Sequence, residues 1–433
     1  MGRLTAGARE ATADGPAPLR RNRDFLLLWS GAAVSLLGTR VTGVSYPLIV
    51  LWHTDSPLVM SAVSFAALLP LLLVQLPAGV LVDRWDRRRL MMICESGRAL
   101  ALGSVAVTLA TGRFSAVQLA AAAFLETSLA ILYRLAERGA VRNVVHAGQL
   151  AAALSQNEAR GRAAVLLGQP GGVLLQSAAR WAPFLFSAAA GLASLGSLLL
   201  IRKDFQQQRK APPKSLRTEL AEGLRWLWRQ RFLRAALAFV AGSNLLLQVL
   251  PLALFVLVKE AGRPQTAVAL IVAAGGIGGI AGALSGSWWQ RRISLRTVLV
   301  AGLFGWAALI TTMALARQPL VLGVLFAGTG YITGVFNVAA AVHQVRTTPD
   351  ALQGRVAGTS HLVATGANVL GVLLGGLTLS SWGAAPVFLL LGGAMLALAT
   401  TATTTPALRG EHAATTDKST ETRETEHGHE RAR

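Results

Sequence analysis

Residues 62–89 read AVSFAALLPLLLVQLPAGVLVDRWDRRR. The first 21 carry no charge, enough to cross a hydrocarbon core of roughly 30 Å as a helix. The last seven hold Asp83, Arg84, Asp86, Arg87, Arg88 and Arg89. Further apolar runs follow along the chain, which is 53% hydrophobic and 14% charged with a mean hydropathy of +0.49. Soluble proteins carry about 25% charged residues. The chain therefore reads as an all-α membrane protein of many spans. Its first apolar run follows a polar segment and is too long for a cleavable signal peptide. Cys94, the single cysteine, excludes an intramolecular disulfide and any paired-cysteine redox or zinc site.

Hydropathy places twelve helices at about 25–51, 58–82, 91–111, 115–133, 156–177, 183–201, 235–258, 265–288, 297–316, 320–342, 358–379 and 384–403. The five loops on the side of 83–90 carry 22 Lys or Arg, and the six on the other side carry 5. That asymmetry predicts a cell-membrane protein with both termini cytoplasmic. It accounts for the net charge of +20 without nucleic acid, for which no motif is present. The same basic face suits anionic lipid.

The spans fall into two groups of six. The expected layout is a cytoplasmic N-terminal segment (1–24), a first bundle (25–201), a basic linker (202–234), a second bundle (235–404) and a disordered cytoplasmic tail (405–433). The linker contains Leu216, Leu220, Leu224 and Leu227 at helical spacing, with Trp226 and Trp228 suited to a membrane interface. The tail's His427 and His429 fall short of a metal site, so no metal or cofactor is expected.

The charged loop has a faint echo. A shift of 203 residues lays GVLVDRWDRRR (79–89) over GALSGSWWQRR (282–292), matching Gly79 with Gly282, Leu81 with Leu284, Trp85 with Trp288, and Arg88-Arg89 with Arg291-Arg292. A weaker echo sets Gly161-Arg162 over Gly354-Arg355 near the start of each half's fifth helix. Two pseudo-symmetric six-helix bundles suggest a duplicated transporter rocking about a central site.

GVLVDRWDRRR resembles the loop motif of the major facilitator superfamily, with Gly79, Leu81, Asp83, Arg84, Arg87 and Arg88 in its positions and Asp86 where a second glycine is usual. LRRNRDFLLLWSGAAVSLLGTRV (19–41) and LAAALSQNEARGRAAVLLGQPGGVLL (150–175) are similar to the drug and siderophore exporter branch. The resemblance implies a gate in which Asp83 and the arginines latch the two halves, Asp83 facing a helix N-terminus. The plainer reading is an orientation signal, which the two acids would oppose. In the fifth helix Gly161, Gly168, Pro170, Gly171 and Gly172 depart from the antiporter spacing. They serve close packing and a bend as readily as a conformational role. The fourth helix carries Glu126 in place of the family's arginine.

Ionisable groups inside spans cost at least about 2.5–3.5 kcal/mol each and so point to function. Those within or at the edge of a span are Arg40, Glu95, Arg98, Glu126, Glu158, Arg160 and Arg162, and no helix of the second half holds an acid. The superfamily fold implies that helices 1, 4, 7 and 10 line the cavity, which singles out Arg40, Glu126, Asn244, Gln248, Tyr331 and Asn337. Glu126 is the expected proton carrier, since burial favours a neutral carboxyl and a nearby cation its charged form. The alternative is a structural Arg40–Glu126 pair, though their depths differ by about two turns. Glu95 and Arg98, three apart, read as a local pair supporting the loop. Glu158, Arg160 and Arg162 read as membrane-edge residues. Asn244, Gln248 and Asn337 either hold ligand or satisfy one another, and His343 lies near a helix end. GGIGGIAGALSG (275–286) reads as close helix packing.

No catalytic constellation and no phosphate-binding loop occur, so an enzyme or an ATP-driven pump is not expected. The function this supports is secondary-active export of amphipathic drugs or metabolites, coupled to protons, by a chain functional as a monomer. The alternative is proton-coupled or facilitated uptake of a small metabolite. A cationic substrate would compete with the proton on Glu126, and Arg40 leaves an anionic one open.

Overall fold

The structure is a computed structural model that describes residues 19–201, 225, 228, 231–347 and 353–406. The N-terminal 1–18, nearly all of the linker and the tail with His427 and His429 lie outside the described residues. Fourteen α-helices and no strand occur among those described. They are α1 (Arg23–Thr54), α2 (Pro57–Leu68), α3 (Pro70–Leu73), α4 (Gln75–Arg84), α5 (Arg87–Ala110), α6 (Ala116–Val144), α7 (Leu150–Ala178) and α8 (Ala182–Leu200). The second group comprises α9 (Arg231–Glu260), α10 (Gln265–Gln290), α11 (Leu295–Leu315), α12 (Pro319–Thr347), α13 (Gln353–Trp382) and α14 (Ala384–Thr404). Ten of them are long and apolar enough to span a membrane, and Pro57–Leu73 forms a shorter apolar stretch.

Of the boundaries that differ from the hydropathy reading, two have a direct physical reason. The run 58–82 is broken into α2, α3 and α4 ahead of Pro70 and Pro77, which have no N–H to donate and whose rings crowd the preceding turn. The fourth span does not stop at 133 but continues as helix to Val144. Arg134, Arg138 and Arg142 lower the hydropathy there, yet they recur every four residues while Ala136, Ala140, Val141 and Val144 are buried. An amphipathic last three turns carries the helix onward.

Helix ends are set by short polar side chains. Ser115 Oγ accepts from Gln118 N–H at 3.2 Å to start α6, and Ser294 Oγ accepts from Thr297 N–H at 3.2 Å to start α11. Gly112, Gly262 and Gly383, at φ +77°, +65° and +76°, make the reversals before α6, α10 and α14.

Contacts divide the chain into two compact units. Unit 1 holds residues up to Ser45 and Leu73–Lys210; unit 2 holds Tyr46–Leu72 and the remainder. In unit 1, α5 packs between α6 and α8 over a core that includes Phe25, Leu28, Leu90, Met91, Cys94 and Leu198. In unit 2, α10 packs along α12, α11 on α14, and α13 on both α9 and α2. The glycine-rich run of α10 makes that first contact close: a Cβ on Gly278 or Gly282 would strike the carbonyl oxygen of Ala327 or Tyr331. Gly330 and Gly334 of α12 meet the Gly275 and Gly279 carbonyls in the same way. Helix association in lipid relies on such close approach.

Candidate functional site

The candidate site lies in unit 1, where α1, α5 and α6 bury charge in an apolar interior. Ser35, Thr39 and Thr42 recur at i, i+4 and i+7 on α1 and share one stripe. Glu95 and Arg98 are one turn apart on α5, and Glu126 comes from α6. Glu95 is 0% exposed, Arg98 2% and Glu126 2%. Arg98 Nη1 stands 3.2 Å from Glu95 Oε2, and its Nη2 stands 3.6 Å from Glu126 Oε1. The α1 hydroxyls complete the network. Ser35 Oγ donates to Glu95 at 2.6 Å and accepts from Arg98 at 2.6 Å. Thr39 Oγ1 accepts from Arg98 at 2.5 Å, and Thr42 Oγ1 donates to Glu126 at 2.8 Å.

One guanidinium thus faces two carboxylates. Attraction between the charges and the cost of burying them oppose one another here, and the α1 hydroxyls hold the three side chains in place.

The alternative of a structural Arg40–Glu126 pair does not form: Glu126 takes Arg98 as its cation, and Arg40 makes no ion pair among the described residues. The Glu95–Arg98 pair exists, but it reaches inward to α1 and α6 rather than supporting the loop. Of the three residues read as membrane-edge groups, Glu158 and Arg162 form an exposed pair at 3.3 Å. The Arg160 side chain is 8% exposed instead, 2.8 Å from Glu137 and donating to the Trp29 carbonyl at 3.2 Å. The hydropathy reading missed Glu137 and the α1 hydroxyls. The hydroxyls had a signal in their spacing along one face.

The loop of unit 1 is built into that unit. Asp86 caps α5, its Oδ1 accepting from Arg89 N–H at 2.7 Å. Arg88 donates to the carbonyls of Leu198 and Leu199 at 3.2 and 3.1 Å, satisfying the last turn of α8. Arg87 lies over Gly139 of α6, where a Cβ would come within 2.8 Å of its guanidinium. Gly79 has open space beside it, Leu81 is half-buried and Arg84 is exposed. The Asp83 side chain lies outside the described residues. On α7, Gly168 and Gly172 face α1 at Arg40 and Val41, Gly171 faces open space, and Pro170 lies within the helix.

In unit 2, Asn244 and Gln248 are half-buried on α9 and Asn337 is exposed on α12, none with a side-chain hydrogen bond among the described residues. The Tyr331 hydroxyl is engaged, accepting from Ser285 at 3.0 Å and from Trp289 at 2.8 Å. No cluster of metal-ligating side chains occurs among the described residues.

The sequence matches a family described as transmembrane secretion effector over residues 13–429. The multidrug efflux pump Tap of Mycolicibacterium fortuitum is 29% identical over 409 residues, covering 89% of this chain and 96% of that protein. The uncharacterized MFS-type transporter YfiS of Bacillus subtilis strain 168 is 25% identical over 391 residues, covering 87% and 91%. Among solved structures, the nucleoside transporter NupG superposes with a TM-score of 0.72 at 14% identity, covering 89% of this chain and 98% of that one. At that identity the likeness is one of fold.

Proposed function

Because the chain belongs to the transmembrane secretion effector family of major facilitator transporters, we propose that it exports amphipathic small molecules in exchange for protons by alternating access. Export as the direction follows the relatives named as multidrug efflux pumps. The observation that carries the coupling is the single buried Arg98 between Glu95 and Glu126, a set with one acid more than its cation neutralises. Glu126 is the proton carrier, with Glu95 the fixed partner that keeps Arg98 in place. In this reading the two six-helix halves on either side of 202–234 rock about a membrane-centred substrate path, and the 79–89 loop braces the first half. The protein works as a monomer in the cell membrane, its basic loops and termini cytoplasmic and in contact with anionic lipid.

The test is reconstitution in vesicles containing a pH dye, under an imposed proton gradient, with a panel of amphipathic solutes. Solute-triggered proton flux in the wild type that is lost in Glu126→Gln supports the reading. Flux that survives the substitution removes Glu126 from the coupling. Sidedness of solute accumulation separates export from uptake.

A further inference from the structure

We propose that the turn joining α10 to α11 in unit 2 is a binding site for an anionic phospholipid, whose phosphate headgroup Arg291 and Arg292 hold beside Trp288. The site gives one defined place to the basic face read above as meeting anionic lipid, and it rests on that reading. Both helices are long and apolar enough to span a membrane, so the turn between them lies at a membrane surface.

Packing against α12 directs the end of α10 outward. Trp289 Nε1 donates to the Tyr331 hydroxyl at 2.8 Å, and Gln290 Nε2 donates to the Val338 and Ala339 carbonyls at 3.3 and 3.0 Å. Trp288 is left 46% exposed, edge-on to Trp289 with ring centroids 4.7 Å apart. The Arg292 guanidinium lies over the Trp288 ring, 3.9 Å from its centroid. Leu284 and Ile277, both exposed, share the face of α10 that carries Trp288. Ile277 lies about 16 Å along the helix from Trp288, about half of a hydrocarbon core of roughly 30 Å. That is an apolar track the length of one leaflet, ending in an indole at the interface, where tryptophan is favoured.

The charge beside the indole has no partner in the fold. Arg291 and Arg292 are exposed and make no ion pair among the described residues. The acids among the described residues of unit 2 are Asp55 and Glu260. Asp55 takes Lys259, and Glu260 accepts from the Ala384 N–H at 3.2 Å. Lys259 and Glu260 end α9, at the far end of α10, whose 26 residues span about 39 Å. The corresponding loop of unit 1 shows what is missing. A shift of 203 residues sets Asp83 and Asp86 over Gly286 and Trp289, so both acids are absent here. The same shift sets Arg88, which satisfies the end of α8, over Arg291. In unit 2 the end of α14 is satisfied by Arg296 instead, donating to the Thr403 carbonyl at 3.2 Å. Arg291 and Arg292 are therefore bound neither to an acid nor to a helix end, and guanidinium forks match the paired oxygens of a phosphate.

Native mass spectrometry of the full chain in detergent, titrated with phosphatidylglycerol, phosphatidylcholine or water-soluble glycerol phosphate, reads the affinity for each without reference to transport. Phosphatidylglycerol should bind wild type more tightly than phosphatidylcholine. Arg292→Gln should weaken phosphatidylglycerol about fivefold, the contribution of one basic residue at an anionic surface, and leave phosphatidylcholine unchanged. Arg292→Lys keeps the charge without the planar fork; its affinity should fall between the two, which shows that loss in Arg292→Gln is not misfolding. Arg89→Gln removes the same charge from the corresponding position in unit 1 and should leave the first bound phosphatidylglycerol in place. Equal weakening by Arg89→Gln and Arg292→Gln overturns the site and leaves the wider contact of the basic face with anionic lipid standing. A wild type that does not prefer phosphatidylglycerol removes both. Glycerol phosphate binding as tightly as the whole lipid, with the same dependence on Arg292, overturns the lipid as occupant in favour of a free phosphate.

Discussion

Arg98 stands 3.6 Å from Glu126 across the α5–α6 contact while its other nitrogen holds Glu95 at 3.2 Å. The three residues are therefore unequal in what their removal leaves behind. Arg98→Gln leaves two buried acids without a cation, and breaking a buried pair in this way costs about 3–5 kcal/mol unless both take up protons. Glu95→Gln or Glu126→Gln leaves one acid with one cation. Thermal unfolding in detergent should place Arg98→Gln well below wild type and each Gln variant close to it. A severe loss in Glu126→Gln alongside a mild one in Arg98→Gln would contradict the shared-cation arrangement.

Asp86 occupies a position where the superfamily motif usually has glycine, and here its side chain caps α5. Asp86→Ala should destabilise by about 0.5–2 kcal/mol, whereas Asp86→Ser, which also caps, should stay within a few tenths of wild type. Arg88→Ala exposes the need of the Leu198 and Leu199 carbonyls and should add a loss independent of Asp86. Unfolding midpoints of the single and double variants check both the sizes and their additivity.

The α10–α12 contact sorts glycines by what faces them. Gly282→Ala drives a methyl into the Tyr331 carbonyl and should cost about 1–3 kcal/mol, as overpacking does elsewhere. Gly171→Ala and Gly161→Ala on α7 meet nothing within 4 Å and should be tolerated. Thermostability after extraction, measured by fluorescence-detected gel filtration, separates the two groups.

The membrane fold was legible because each span carries its own apolar run, independent of its neighbours. Length and hydropathy located the helices, but they ended α6 at Tyr133 since a charged, half-exposed stretch reads as loop in a window average. The partner of Glu126 was not legible. Depth estimates compared Arg40 with Glu126 along two helix axes, while the outcome depends on how α5 is rotated to bring Arg98 against Glu126. Rotation is decided by packing of small residues against α8 and α6, which no spacing rule reports. The α1 hydroxyls show the intermediate case: Ser35, Thr39 and Thr42 marked a polar face, and only the fold reveals that it faces charge.

Asp55 sits at φ +54°, the one described non-glycine residue in the left-handed region, and it pairs with Lys259 inside unit 2. Lys259 also donates to the Leu51 carbonyl and lies 5.7 Å from the Trp52 ring centroid. Asp55 is 81% exposed at its side chain, so the ion pair itself contributes at most about 1 kcal/mol and weakens with salt. The backbone contributes more: a non-glycine residue in that region costs about 1–2 kcal/mol. Asp55→Gly loses the pair but relieves the backbone, and should match wild type within about 1 kcal/mol. Asp55→Ala loses the pair and keeps the strained backbone, so it should fall about 1–2 kcal/mol below the glycine variant. Unfolding midpoints at low and high salt read both contributions, since raising salt should lower wild type relative to both variants and leave the gap between the Gly and Ala variants intact.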